Sequence, residues 1–264
     1  MELFVVIFIF IVGTLLGSFY NVVGYRLPKG ESIVFPPSHC PNCNHRLGAS
    51  ELIPIFSFLF QKGKCKHCKQ KISGFYPVFE FLTGLLFIIS YLIFGPTKEF
   101  ILSITFVSML TIIVVSDYEF MIISDEVLIF FGILLFGEIW WINGFEDALY
   151  SLLNGILAFF TMWALKKFGD FLFKKESMGG GDIKLLFIFG MVLSYPIAIL
   201  SIFLGSLIGL PISLIIMARK STHIIPFGPF LAAGALIMFL AQIDIQTTVS
   251  YTHLRAHETD QYRG

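Results

Sequence analysis

The sequence predicts an all-α polytopic membrane protein of about eight transmembrane helices, with a cytosolic CxxC…CxxC loop between the first two. Three observations carry this. Hydrophobic residues make up 56% of the 264-residue chain and charged residues only 14%, whereas a soluble domain carries roughly a quarter charged residues. The charges are clumped, and the stretches without them approach the roughly 20 residues that a helix needs to cross a bilayer. Lys and Arg also fall almost wholly on one side of the predicted spans. A formal net charge of zero argues against a nucleic-acid partner, and the 31 Phe residues suit helices that face lipid.

The first apolar run covers 3–25. It opens Met1-Glu2 with no basic residue and is too long for a cleaved signal peptide. Residues 26–74 are polar and contain every cysteine. Further runs follow at about 75–94, 99–116, 127–142, 147–165, 183–194, 196–217 and 225–243. The stretch 183–217 exceeds one span, and Pro196 offers a break within it. The chain thus divides into a first helix (1–25), a zinc-ribbon-like loop (26–74), a transmembrane core (75–249) and a tail (250–264). From Ser250 to Thr259 the tail resembles the translation of a transposase adapter, and it reads as foreign to the fold.

With eight spans, the basic residues of three loops share one side. These are the loop from Arg26 to Lys71, the loop holding Lys166, Lys167, Lys174 and Lys175, and the last loop with Arg219 and Lys220. Only Lys98 falls opposite. The predicted topology therefore places the N-terminus outside and the large loop in the cytosol.

Two aspartates stand at span ends on that side. Asp117 closes the third span and Asp182 opens the sixth, within Gly179-Gly180-Gly181-Asp182-Ile183-Lys184. Ionisable groups at membrane depth are costly and default to function. A helix N-cap is the plainer reading for Asp182, and Asp125 reads as one, with Glu126 in the first turn. As a pair, the two predict carboxyl-dyad hydrolysis. Two carboxyls sharing a site cannot both ionise cheaply, so one keeps a proton and the pair titrates together. The ionised member takes a proton from water and the other donates to the scissile carbonyl. Helix dipoles favour carboxylate at Asp182, the general base, and the protonated acid at Asp117. Three glycines without Cβ allow close backbone approach or positive φ.

The cysteines form two pairs, Cys40-Pro41-Asn42-Cys43 and Cys65-Lys66-His67-Cys68. This spacing, on a side where thiols stay reduced, predicts a structural zinc held by four thiolates. His39, His45 and His67 read as bystanders. A filled tetrahedron leaves no position for a catalytic water.

These elements together resemble the type IV prepilin peptidases, also called leader peptidase/N-methyltransferases, over about residues 14–236. Gly17-Ser18-Phe19-Tyr20-Asn21-Val22 followed by Arg26-Leu27-Pro28 is similar to the family's G-S-F-L-N-V…R-L-P. Ile72-Ser73-Gly74-Phe75-Tyr76-Pro77-Val78-Phe79-Glu80 is similar to I-S-x-R-Y-P-x-V-E. Asp117 and Asp125 keep the family's spacing, Gly179 to Lys184 matches G-x-G-D-x-K, and Pro226-Phe227-Gly228-Pro229-Phe230 matches a motif before the last span.

The resemblance implies cleavage of prepilin or pseudopilin leaders after a glycine at the cytosolic face of a bacterial inner membrane, with Asp117 and Asp182 as the catalytic pair. It also implies N-methylation of the new N-terminus by S-adenosylmethionine. Gly63 and Lys64 match positions associated with methylation in the family. Two departures stand out: Ile123-Ser124-Asp125 replaces Leu-Pro-Asp, and Phe75 replaces a common Arg, which bears on methylation and not on cleavage. Glu119, Glu126 and Glu176 offer attraction for a basic leader.

A proton-coupled transporter would use the same aspartates. Transporter sites usually lie near the midplane of repeated halves, whereas these acids stand at one edge and no repeat is visible. A zinc-loop docking scaffold leaves the glycine-aspartate element without a purpose.

Overall fold

The computed structural model describes residues 2–176, 178–219 and 225–242, without the side chain of Arg219. The tail from Ser250 and the loop residue Lys220 lie outside the described residues. Nine helices run in order among the described residues: α1 Glu2–Arg26, α2 Phe56–Phe60, α3 Phe75–Phe94, α4 Lys98–Phe120, α5 Asp125–Asn143, α6 Phe145–Phe173, α7 Gly180–Leu193, α8 Tyr195–Arg219 and α9 Gly228–Leu240. No strand is found among them, only isolated bridges at His39–Arg46 and Lys64–Lys71. The all-helical expectation is met. By length and composition, α1, α3, α4, α6 and α8 can cross a membrane, and α9 is a shorter apolar helix. The short α7 and α9 span 14 and 13 residues.

The chain forms two compact units. The first comprises Met1–Phe145 with Pro226–Pro229, and the second Glu146–Ile225 with Phe230–Gly264.

In the first unit, α1 packs chiefly on α3, and α4 packs on α1, α3 and α5. Small residues bring α1 and α3 together. A Cβ added at Gly13 would sit 2.8 Å from the Gly84 Cα, and one at Gly17 would sit 2.9 Å from Thr83. Lipid tails give helices no hydrophobic reason to pair, so such close approach and interhelical hydrogen bonds supply the attraction. The Tyr20 hydroxyl donates to the Ser108 Oγ at 2.7 Å, the Ser103 Oγ to the Ser90 Oγ at 2.7 Å, and the Thr105 Oγ1 to the Glu138 Oε1 at 2.8 Å. Large apolar side chains such as Phe4, Phe8, Ile129, Phe130 and Ile133 remain exposed, as lipid-facing positions should.

The second unit repeats the device. A Cβ at Gly155 of α6 would meet the Phe187 carbonyl at 2.7 Å, and one at Gly190 of α7 the Asn154 carbonyl at 2.6 Å.

Helix ends differ from the sequence reading in three places. The α4 helix runs through Asp117 to Phe120 and ends on Met121 in the left-handed region, φ 56°. The break near Pro196 is made by Ser194, φ 74°, while Pro196 occupies the first turn of α8, where a missing N–H costs nothing. Asp125 is not the cap of α5: Ser124 holds the extended cap conformation and Asp125 is the first helical residue.

Candidate active site and metal centre

Asp117 sits in the last turn of α4 and is only 6% exposed. Burial there follows from its neighbours, since Val115 and Ser116 are also buried and Ser116 donates to the Ile122 carbonyl at 2.8 Å, folding the chain back over the helix end. The Gly228 N–H, at the start of α9, donates to the Asp117 Oδ2 at 2.9 Å. A Cβ at position 228 would stand 2.7 Å from that oxygen, so only glycine lets the amide reach the carboxyl. Gly228 belongs to the Pro226–Phe230 motif, which the sequence reading noted without giving it a task. Beside the site, Phe75 stacks on Tyr118 with ring centroids 4.8 Å apart, while Glu119 and Glu126 are exposed.

Asp182 lies in the second unit, in the first turn of α7, and is partly buried. Gly179 takes the N-cap place with extended backbone, φ −65° and ψ 147°, so Asp182 is not the cap itself. No positive φ occurs at residues 179 to 181; the turn there does not need one, which leaves close approach as the use for these glycines. A Cβ at Gly179 would lie 3.5 Å from the Asp182 Oδ2, and one at Gly180 would meet nothing within 4 Å. Lys184 is exposed.

The structure brings Cys40, Cys43, Cys65 and Cys68 together, with their sulfurs all within 4.8 Å of one another. Two matching turns do this. Cys40 N–H donates to the His45 carbonyl and Asn44 N–H to the Cys40 carbonyl, both at 2.9 Å. Likewise Cys65 N–H donates to the Gln70 carbonyl at 2.8 Å and Lys69 N–H to the Cys65 carbonyl at 3.0 Å. Asn44 and Lys69 take the same left-handed place in each turn, with φ 54° and 59°.

The four cysteines are free. Cys40 and Cys68 sulfurs stand 3.8 Å apart, and those of Cys43 and Cys65 stand 4.0 Å apart. A tetrahedron with zinc–sulfur bonds of about 2.3 Å has edges of about 3.8 Å, so the quartet fits zinc. The Gln70 backbone N–H and the Asn42 amide hold the Cys68 thiol down to about 6. At Cys43 the His45 backbone N–H lowers the value, but burial and the thiols of Cys68, Cys40 and Cys65 outweigh it and push it up to about 12. Four thiolates therefore need a cation among them. The histidines stay outside the quartet. His45 Nε2 pairs with the Glu51 Oε2 at 3.2 Å, and its ring stacks on that of His67 at 5.3 Å.

A cavity of about 650 Å³ opens between this loop, α1 and α3, walled by Asn21, Arg26, Glu51, Tyr76 and Glu80 among others. Glu80 is buried and accepts the Ile55 N–H at 2.7 Å, tying the loop to α3. The backbone at Ile55 is held at φ 62°, a strained place for a β-branched residue. Gly63 has φ 66° and Lys64 forms the bridge with Lys71; neither lines this cavity.

Comparison with known proteins is consistent along the chain. The Bacterial Peptidase A24 N-terminal domain matches residues 11–94, and the Type IV leader peptidase family matches residues 104–214. The chain is 38% identical over 235 residues to the Prepilin leader peptidase/N-methyltransferase of Bacillus subtilis (strain 168), covering 88% of this chain and 92% of that protein. It is 30% identical over 263 residues to the protein of the same name from Aeromonas salmonicida (strain A449), covering 88% and 89%. Against that from Neisseria gonorrhoeae it is 30% identical over 275 residues, covering 91% and 92%. No solved structure matches the chain significantly. With apolar helices fit to cross a membrane several times and matches that run nearly end to end, the chain belongs to the type IV leader peptidase family.

Proposed function

We propose that the chain is a membrane aspartic endopeptidase that removes the leader from type IV prepilins or pseudopilins at the cytosolic face of the bacterial inner membrane, and N-methylates the new N-terminus. The observation that carries the reading is a carboxyl, Asp117, buried at the end of a membrane helix with a backbone amide directed at it. Family membership and the relatives' names supply the substrate class.

In this reading Asp182, in the first turn of α7, is the general base and takes a proton from water. The water oxygen adds to the scissile carbonyl carbon as Asp117 gives its proton to the carbonyl oxygen. Collapse breaks the C–N bond, the amine leaves with a proton, and the pair is ready to share one again. The glycines before Asp182 admit an extended substrate backbone. Lys184, exposed one turn along, supports the site from its rim. The cysteine quartet holds zinc structurally, keeping the loop closed beside the membrane helices. S-adenosylmethionine, when bound, supplies the methyl group, and Gly63 and Lys64 shape the loop that serves that step.

The test is cleavage of a synthetic prepilin peptide in proteoliposomes. Wild-type protein should cut after the leader glycine and continue to cut with a zinc chelator present. Asp117→Asn and Asp182→Asn should each abolish cleavage. Full activity in either variant ends the reading.

A further inference from the structure

The cavity between the cysteine loop, α1 and α3 contains two buried oxygens with no hydrogen-bond partner, the Asn21 Oδ1 and the Glu51 Oε1. Asn21 is 3% exposed and the Glu51 side chain 7% exposed. Each already uses its other polar atom. The Asn21 amide donates to the Tyr76 carbonyl at 3.2 Å, and the Glu51 Oε2 accepts from the Gly48 N–H at 2.9 Å and faces His45. Leaving a buried acceptor unmade costs about 1–3 kcal/mol, so two on one cavity wall call for an occupant.

The occupant's chemistry follows from these groups. Both orphan atoms are acceptors, so the ligand must bring N–H or O–H donors. Glu31, Glu51 and Glu80 all line the space, which favours positive charge on the ligand. Leu52 and Phe58 add apolar wall, and Tyr25 and Tyr76 present rings. A volume of about 650 Å³ falls within the ~300–1,000 Å³ usual for small-molecule sites. A cationic molecule with amino and hydroxyl donors and a flat aromatic part meets each requirement.

We propose that this cavity binds S-adenosylmethionine, with the Asn21 Oδ1 and the Glu51 Oε1 accepting hydrogen bonds from it. The proposal rests on the methylating half of the function above. It places the donor site on α1, the Glu51 turn and α3, with Gly63 and Lys64 acting from outside the cavity.

Full-length protein purified in detergent is incubated with methyl-tritiated S-adenosylmethionine, irradiated, and digested for peptide mapping. Label should fall in segments 18–26, 47–58 or 70–80. In equilibrium binding without irradiation, Asn21→Leu and Glu51→Gln should each weaken affinity at least tenfold, with zinc content and thermal midpoint near wild type as a check on folding. Label mapping elsewhere, or both variants binding as tightly as wild type, overturns the assignment. Mapping on the wild-type chain decides the matter even where a variant fails to fold. The same preparation is given a prepilin peptide. Cleavage without any donor binding sinks this inference and leaves the peptidase standing, whereas binding without cleavage does the reverse.

Discussion

The Gly228 N–H and the Asp117 Oδ2, 111 residues apart in sequence, meet at 2.9 Å in a buried hydrogen bond. Oxyanion-hole and carboxyl-positioning amides share one advantage: a backbone dipole fixed by a helix start needs no reorganisation when charge moves. If Asp117 is a catalytic acid, this amide sets its orientation.

Gly228→Ala should therefore act on turnover and not on binding. The added Cβ would lie 2.7 Å from the carboxyl oxygen, forcing one or the other aside. Displacing a catalytic group by about 1 Å costs on the order of 100-fold. We expect kcat for a prepilin peptide to fall by about that factor with KM within twofold, and the thermal midpoint to change little.

Metal removal should separate loop from chemistry. A strong chelator should release about one zinc per chain, and Cys40→Ser should purify without it. The 26–74 loop should then become sensitive to added protease while peptide cleavage persists. Metal analysis and limited proteolysis on one sample read both outcomes.

Packing of the first helix should be intolerant of bulk. Gly17→Leu would drive a side chain into Thr83, already 2.9 Å from a bare Cβ. Overpacking of this kind costs about 1–3 kcal/mol. Thermal unfolding in detergent should show the loss, and Phe4→Leu, at an exposed lipid-facing position, should show none.

Charge near the acid should steer a basic leader. Glu119 is exposed two residues beyond Asp117. Glu119→Lys should raise KM severalfold with kcat nearly unchanged, and the difference should shrink as salt rises, because exposed charges are screened within about 10 Å at 0.1 M.

Much of this architecture was legible in the residues. Apolar runs of span length marked the long helices, because a bilayer demands internally bonded backbone over a fixed thickness. The cysteine quartet was legible from spacing alone, since two short turns bring two thiols each. The Gly228 task was not, because it depends on a contact across more than a hundred residues that no local pattern encodes. Nor was the role of Glu80, which reads as the end of a motif until its carboxylate is seen holding the Ile55 amide. Helix ends missed by a few residues, as at Phe120 and Ser194, because single residues in the left-handed region decide them.

The amide that completes the Asp117 site has a consequence for biosynthesis. During translation the acid at 117 is made long before its donor at 228, so a ribosome must add 111 more residues before the carboxyl acquires its partner. A nascent or prematurely terminated chain ending ahead of the last helix would carry the acid without the group that aims it. Proteolytic competence would then arrive only with the finished polypeptide, which keeps half-made copies from cutting whatever helices share their membrane.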